Sequence, residues 1–348
     1  MNRRSKSCFS RSLAKRGGAV LLGGALLLGQ SGCGSQRTTD VRIGVALYQQ
    51  NDTFISTVVE NLELQARAWE EETSRKLTLN ITDGGNSQST QNDQVDRFLD
   101  RDYDAICVNI VDRTAAAVLI DKAEAANVPI IFFNRQPVQE DLDRWEGAYY
   151  VGARAEQSGE IQGQIVADAW KADPAAVDRN GDGVLQYVML EGEPGHQDTL
   201  LRTEYSVNTL TETVPAEKLA SDTANWDRTQ ASARMTEWIK RYGEEIEVVF
   251  ANNDDMALGA IDACRAAGMT ELPFIVGVDA TPPALEAIEA GTLKGTVLND
   301  AEGMAEAMFA LIRALAAGED PAQSVELEEG HYIWMPYRRV TAETIASE

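Results

Sequence analysis

The chain has 348 residues, with 31 Lys and Arg against 55 Asp and Glu and a formal net charge of −24. That excess of acid argues against a nucleic-acid partner, because phosphate binding draws on clustered Lys and Arg; it fits a solvated surface that keeps a protein soluble or adapts it to salt. The length exceeds what one hydrophobic core usually serves, so two domains are expected.

Residues 1–32 read as a separate segment. Arg3, Arg4, Lys6, Arg11, Lys15 and Arg16 precede an apolar stretch from Ala19 to Leu28 with no acidic residue among them, the pattern of a secretion signal. A membrane span needs about 20 apolar residues, roughly twice this run, so the leader is expected to be cleaved. Its loss removes six basic residues and leaves 25 Lys and Arg against 55 Asp and Glu, a net charge of −30. Ser31-Gly32-Cys33 resembles the lipobox of bacterial lipoproteins, in which the cysteine is acylated, and lipidation of Cys33 is the expectation. Gln30 stands where a lipobox usually carries leucine, which leaves cleavage by the ordinary signal peptidase as the alternative. Cys8 departs with the leader, so only Cys107 and Cys264 could pair; both lie in apolar contexts and imply no disulfide framework.

Beyond a short linker, apolar runs alternate with helical segments. The runs are Arg42 to Tyr48, Leu77 to Asp83, Ala105 to Ile110, Pro129 to Asn134, Gln186 to Glu191, Val248 to Ala251, Phe274 to Asp279 and Gly295 to Leu298. The first helix between them carries Ile55, Val58, Leu62, Ala66 and Trp69 on one stripe, with Glu60, Arg67 and Glu71 away from it. Such alternation predicts an α/β fold of parallel sheets covered by helices. Polar residues fall at or just after many of the strands: Asp52, Asn109, His196, Asp198, Asn253, Asp279 and Asn299. Ligands of open α/β sheets bind outside the carboxyl ends of the strands, so these groups can converge on one small ligand.

Asp178-Arg179-Asn180-Gly181-Asp182-Gly183-Val184-Leu185-Gln186 places oxygens at positions 1, 3, 5 and 9 of an EF-hand-like loop, with Gly183 at the sharp turn. Asp178, Asn180, Asp182, the Val184 carbonyl and Gln186 are the expected calcium ligands. Position 12 is Met189 and a strand follows instead of a helix, so a glutamate must come from elsewhere; an Asx-rich turn without metal is the bland alternative. Further on, Gly192 to Arg202 holds His196, one of only two histidines, with Asp198 and Arg202 at short spacing. No nucleophile elbow, phosphate-cradling loop or ligand-spaced second histidine accompanies them, so a fixed hydrogen-bonding trio is more economical than catalysis. Phe54 and Trp226 sit among hydrogen-bonding residues. Each alone could be core, but aromatic faces beside Asp, Asn and Arg suit a pyranose, whose C–H patches pack on rings while its hydroxyls take polar partners.

Asn92-Asp93-Gln94, Tyr149-Tyr150-Val151-Gly152, Ile161-Gln162-Gly163, Gly192-Glu193-Pro194-Gly195-His196, Ala251-Asn252-Asn253-Asp254, Gly277-Val278-Asp279-Ala280 and Gly295 to Asp300 resemble the periplasmic glucose/galactose-binding proteins, over nearly all of the chain from Arg42. The resemblance implies two Rossmann-like lobes joined by a three-segment hinge, with crossings near Asn134, Asn299 and Pro336. On that basis the N-terminal lobe is 40–134 plus 299–335 and the C-terminal lobe is 135–298 plus 336–348, after a 1–32 signal peptide and a 33–40 linker. It implies a monosaccharide in the cleft, D-glucose or D-galactose, held by Asp52, Phe54, Asn109 and Asn299 from one lobe. His196, Asp198, Arg202, Trp226, Asn253 and Asp279 come from the other. It also implies Glu247 as the missing bidentate calcium ligand, an ABC importer's permease as partner, sometimes a chemoreceptor, and a monomer. The competing expectations are a sugar-responsive repressor, which would need a helix-turn-helix where the leader stands; a sugar-converting enzyme using His196; and a binding protein for xylose, ribose or a furanose.

Overall fold

The computed structural model describes residues 40–347; the leader and Cys33 lie outside the described residues. In chain order the first part consists of β1 (Val41–Leu47), α1 (Thr53–Thr73), β2 (Leu77–Asp83), α2 (Gln88–Leu99), β3 (Ala105–Val108), α3 (Ala116–Ala126), β4 (Ile130–Phe133), α4 (Gln139–Leu142) and β5 (Ala148–Gly152). The second comprises α5 (Ala155–Ala172), β6 (Leu185–Glu191), α6 (Gln197–Thr211), β7 (Ala216–Thr223), α7 (Arg228–Tyr242), β8 (Val248–Ala251), α8 (Asp254–Ala266), β9 (Phe274–Val276), α9 (Pro282–Glu289) and β10 (Thr296–Leu298). The chain ends with α10 (Ala301–Ala317), β11 (Tyr332–Trp334), β12 (Arg338–Val340) and α11 (Ala342–Ile345).

One sheet runs β2-β1-β3-β4-β5-β11, every neighbouring pair parallel. Its central strands β3 and β4 are buried at every position, as apolar runs covered by helices on both faces must be. On one face lie α1 and α10, whose Phe54, Ile55, Val58 and Leu62 share a core with Met304, Met308 and Ile312. The opposite face is closed by α2 and α3 through Val95, Leu119 and Ile120. The start of α1 is fixed by Asp52, whose carboxylate accepts from the Ile55 N–H at 2.9 Å; the helix stops where Ser74 turns left-handed at φ 54°.

The second sheet runs β7-β6-β8-β9 in parallel, with single bridges leading on to β10, which pairs antiparallel with β12. Two glycines let α5 lie directly on α6: a Cβ at Gly163 would stand 2.4 Å from the Ser206 carbonyl oxygen, and one at Gly159 2.8 Å from Tyr205 Cβ. In both sheets the strand order reverses beside the first strand, between β1 and β3 and between β6 and β8. That reversal opens a crevice at the carboxyl ends. A buried glutamine braces the carboxyl ends of each sheet, across β1 and β3 in the first and across β8 and β9 in the second. Gln91 donates to the carbonyls of Ala46 and Asn109, and Gln162 to those of Ala251, Val276 and Gly277.

The chain passes between the sheets three times, at Ala153–Arg154, Asn299–Asp300 and Met335–Pro336. The first of these does not fall at the expected Asn134. Ala148 to Gly152 pairs with β4 and extends the first sheet, so residues 135–152 belong to the N-terminal lobe and the crossing falls after Gly152 rather than at Asn134. The apolar Ala148-Tyr149-Tyr150-Val151 run was the available signal. Strand β7 gave none: Ala-Glu-Lys-Leu-Ala-Ser-Asp-Thr is an edge strand that buries little.

Candidate functional site

Where the two sets of strand ends meet, Tyr48, Asp52, Phe54, Ile55, Asn134 and Arg135 from the first lobe face His196, Asp198, Arg202, Trp226, Asn253 and Asp279 from the second, around a cavity of about 340 Å³ counted to its mouth. Polar contacts across the cleft hold the lobes closed over it. Thr53 Oγ1 donates to Asp255 at 2.6 Å, Asn86 Nδ2 to Glu193 at 3.0 Å and Gln197 Nε2 to Gln136 at 3.2 Å, and Arg135 pairs with Glu193 at 2.9 Å.

Eight of the ten sequence-predicted site residues line this cavity: Asp52, Phe54, His196, Asp198, Arg202, Trp226, Asn253 and Asp279. Asn109 and Asn299 do not. Asn109 is fully buried behind the wall, donating to the Phe133 carbonyl at 3.0 Å and to Asn134 Oδ1 at 3.4 Å. It holds Asn134, which lines the cavity in front of it, while its own Oδ1 is buried without a partner among the described residues. Asn299 likewise stands behind Asp279, donating to its Oδ1 at 3.3 Å. Sequence reasoning missed Tyr48, Ile55, Asn134 and Arg135. Asn134 had a signal, being a polar residue at the end of a predicted strand; Tyr48 and Ile55 read as core.

The second-lobe groups form a connected network. Arg202, 3% exposed, donates to the Asn252 carbonyl at 2.8 Å, to Asp198 Oδ2 at 3.0 Å and to the Tyr337 hydroxyl at 3.0 Å, with Asp279 Oδ1 at 3.9 Å. Burial raises the Asp198 and Asp279 carboxyls above their usual range, against the pull of Arg202. His196 caps α6: its Nδ1 accepts from the Asp198 N–H at 3.1 Å, which puts the ring proton on Nε2. Burial, with Arg135, Arg202 and Arg113 nearby, depresses the imidazole's pKa well below its usual value, so it is a neutral donor. Its ring meets the Trp226 indole edge-on at 5.2 Å. In the first lobe the Tyr48 hydroxyl donates to Asp52, and the Arg135 guanidinium stacks 3.5 Å from the centroid of the Tyr48 ring.

Several cavity residues hold backbone conformations that L-residues rarely adopt: φ is 60° at Asn134, 62° at Trp226 and 122° at Asp279. Each such residue costs of order 1–3 kcal/mol and marks where a fold aims a side chain. Arg202 Nε and Trp226 Nε1 are buried without a protein partner. Fixed carboxylate acceptors, guanidinium, indole and imidazole donors, and Asn groups that do both are matched to a small neutral molecule dense in hydroxyls.

The loop at Asp178 adopts the hydrogen bonding of its motif. Asp178 accepts from Gly181 and Gly183 N–H, Asn180 from Asp182, and Asp182 from Val184. Asn180 Nδ2 donates to Gln186 Oε1 at 2.9 Å and Gln186 Nε2 to Asp182 at 3.0 Å, so positions 3, 5 and 9 converge. Glu247, 1% exposed, reaches in from the start of β8 to accept from the N–H groups of Arg179, Asn180 and Gln186. Among the described residues no carboxylate here has a salt-bridge partner, and none stands in a ready cluster of three ligands. Apart from Glu247 Oε1, which accepts from both the Arg179 and Asn180 N–H groups, each side-chain oxygen accepts one hydrogen bond and keeps a lone pair, so the donor set fits a hard cation that would draw it together. Cys107 and Cys264 are free and buried.

Two parallel-sheet lobes closed over a polar, aromatic-walled cavity define a solute-binding protein, and residues 43–320 match the family described as the periplasmic binding protein domain; the chain belongs to that family. Among its relatives, it is 38% identical to the D-galactose/methyl-galactoside binding periplasmic protein MglB of Haemophilus influenzae, over 92% of this chain and 95% of that one. It is 31% identical to the xylitol-binding protein of Mycolicibacterium smegmatis, over 87% and 81%. An ABC transporter solute-binding protein of Bacillus halodurans, solved with bound myo-inositol, superposes at a TM-score of 0.74 with 31% identity, covering 90% of this chain and 98% of that one.

Proposed function

We propose that this protein binds one hexopyranose, D-galactose or D-glucose, in the cleft and delivers it to the permease of an ABC importer. The observation that carries the reading is the cavity wall itself: Asp52 and Asn134 on one side, His196, Asp198, Arg202, Asn253 and Asp279 on the other, with Phe54 and Trp226 between them. The relative with 38% identity is named for D-galactose and methyl-galactoside. Charged groups make the stronger hydrogen bonds to hydroxyls, and a carboxylate such as Asp52 has lone pairs enough to accept from either C4 epimer.

The role is binding rather than conversion. His196 Nδ1 is occupied by a backbone N–H and the imidazole stays neutral, so His196 is not poised as a base. Calcium is assigned to Asp178, Asn180, Asp182, the Val184 carbonyl, Gln186 and Glu247, where it would tie the loop to β8 and stabilise the second lobe without touching the sugar. Family membership makes this an exported protein; lipidation at Cys33, a chemoreceptor as second reader of the closed form, and a monomeric state complete the proposal.

Calorimetric titration of the purified protein with D-galactose, D-glucose and D-xylose, with recovery of each sugar afterwards, tests it. Tight one-to-one binding of a hexose recovered unchanged is expected. Binding of xylose alone would move the specificity to a pentose, and conversion of the sugar would overturn the assignment as a binding protein.

A further inference from the structure

A second inter-lobe cavity, of about 960 Å³ counted to its mouth, lies beside the ligand cavity and shares two walls with it, Arg135 and His196. Its remaining walls come from both lobes and include Arg113, Gln136, Glu193 and Gln197. Between the two spaces stands the Arg135–Glu193 pair. Arg135 belongs to the first lobe and lines the ligand cavity; Glu193 belongs to the second and lines only the outer space. Their side chains are 5% and 16% exposed and meet at 2.9 Å.

Glu193 uses both carboxylate oxygens on the opposite lobe: Oε2 takes Arg135 and Oε1 takes the Asn86 amide at 3.0 Å. Among the described residues this is the one ion pair that joins the lobes away from the crossings. Arg135 is held from the first-lobe side as well, donating to the Val111 carbonyl at 3.2 Å and stacking on Tyr48, whose hydroxyl donates to Asp52. Arg135 is therefore fixed to the first lobe, and the cleft cannot open without parting it from Glu193.

Resting on the proposal that the inner cavity holds a hexose, we propose that Arg135 and Glu193 form a gate between that cavity and the outer vestibule, with Glu193 the positioning residue that sets how fast ligand escapes. Parting a mostly buried, hydrogen-bonded charge pair acts on the dissociation rate far more than on the association rate. Because Glu193 lines no part of the ligand cavity, its removal leaves the ligand's own contacts in place.

Stopped-flow kinetics of D-galactose and D-glucose with wild-type protein, Glu193→Gln and Asn86→Ala would test this. Glu193→Gln should raise the dissociation rate by roughly tenfold or more, the scale of a lost charged contact, with the association rate within about twofold. Asn86→Ala, which spares the ion pair, should raise it by less. An unchanged dissociation rate in Glu193→Gln, or a loss confined to association, would overturn the gate. If wild-type protein binds neither hexose, the functional reading fails, and the gate is then read from small-angle scattering. Glu193→Gln should shift the ligand-free ensemble toward open lobes; an unshifted profile overturns the gate.

Discussion

Asp52 has three roles in the structure, and two substitutions separate them. Its carboxylate lines the cavity, caps α1 by accepting from the Ile55 N–H at 2.9 Å, and accepts from the buried Tyr48 hydroxyl. Asn caps helices about as well as Asp, and its amide oxygen can still accept from Tyr48, so Asp52→Asn should leave the ligand-free protein nearly as stable as wild type. Its cost falls on binding: a charged hydrogen bond worth about 1.5–3 kcal/mol becomes a neutral one worth about 0.5–1.5 kcal/mol, a loss of about tenfold in affinity. Asp52→Ala also removes the cap, about 1 kcal/mol, and strands the Tyr48 hydroxyl, about 1–3 kcal/mol. It should therefore lower stability by about 2–4 kcal/mol and weaken hexose binding by more than tenfold. Calorimetry and denaturant unfolding of both variants read the two effects separately. Wild-type affinity in Asp52→Asn would refute the ligand contact, and wild-type stability in Asp52→Ala would refute the cap and the Tyr48 bond.

Burial pushes the Asp254 carboxyl up to about 7, although Thr296 and Thr281 donate to it. The folded protein then holds a proton that the unfolded chain releases above about pH 4, so this group makes stability fall as pH rises from about 4 toward 7. Asp254→Asn should flatten that part of a Tm–pH profile; an unaltered slope would contradict it. A chelator should lower the Tm of wild-type protein and added calcium should restore it in a concentration-dependent way, with Asp178→Ala indifferent to both; a Tm independent of calcium would refute the metal assignment. A Cβ at Gly192 would stand 2.2 Å from the Trp226 indole, so Gly192→Ala should push the ring toward the cavity and weaken binding with little loss of secondary structure, and unchanged affinity would show that the indole is not held against the ligand.

Much of the site was legible because its residues obey a simple rule: a polar side chain directly after an apolar strand. Asp52, Asp279 and Asn253 could be found that way, and His196, Asp198 and Arg202 by their spacing on the first turns of one helix. The rule fails at neighbouring strand ends. Asn109 and Asn134 both close apolar runs, yet only Asn134, at φ 60°, turns out of its strand into the cleft, while Asn109 turns sideways to hold it. Backbone angles of this kind are not encoded in residue type, although Asn tolerates them better than most. Arg135 was invisible for another reason: it is defined by Glu193, and no spacing connects residues from two lobes. The first crossing was misplaced because the Asn134 turn ends a strand without ending the sheet; Tyr150, whose hydroxyl donates to the Asn134 carbonyl at 2.9 Å, belongs to the next strand of the same layer.

The hexose is proposed to sit in the closed cavity between the lobes. A crystal structure of the protein grown with D-galactose or D-glucose tests it most directly. One pyranose in contact with Asp52, Asn134, Asp198 and Arg202 and flanked by Phe54 and Trp226 is expected; a sugar bound elsewhere, or a cavity that closes without admitting one, would overturn the assignment.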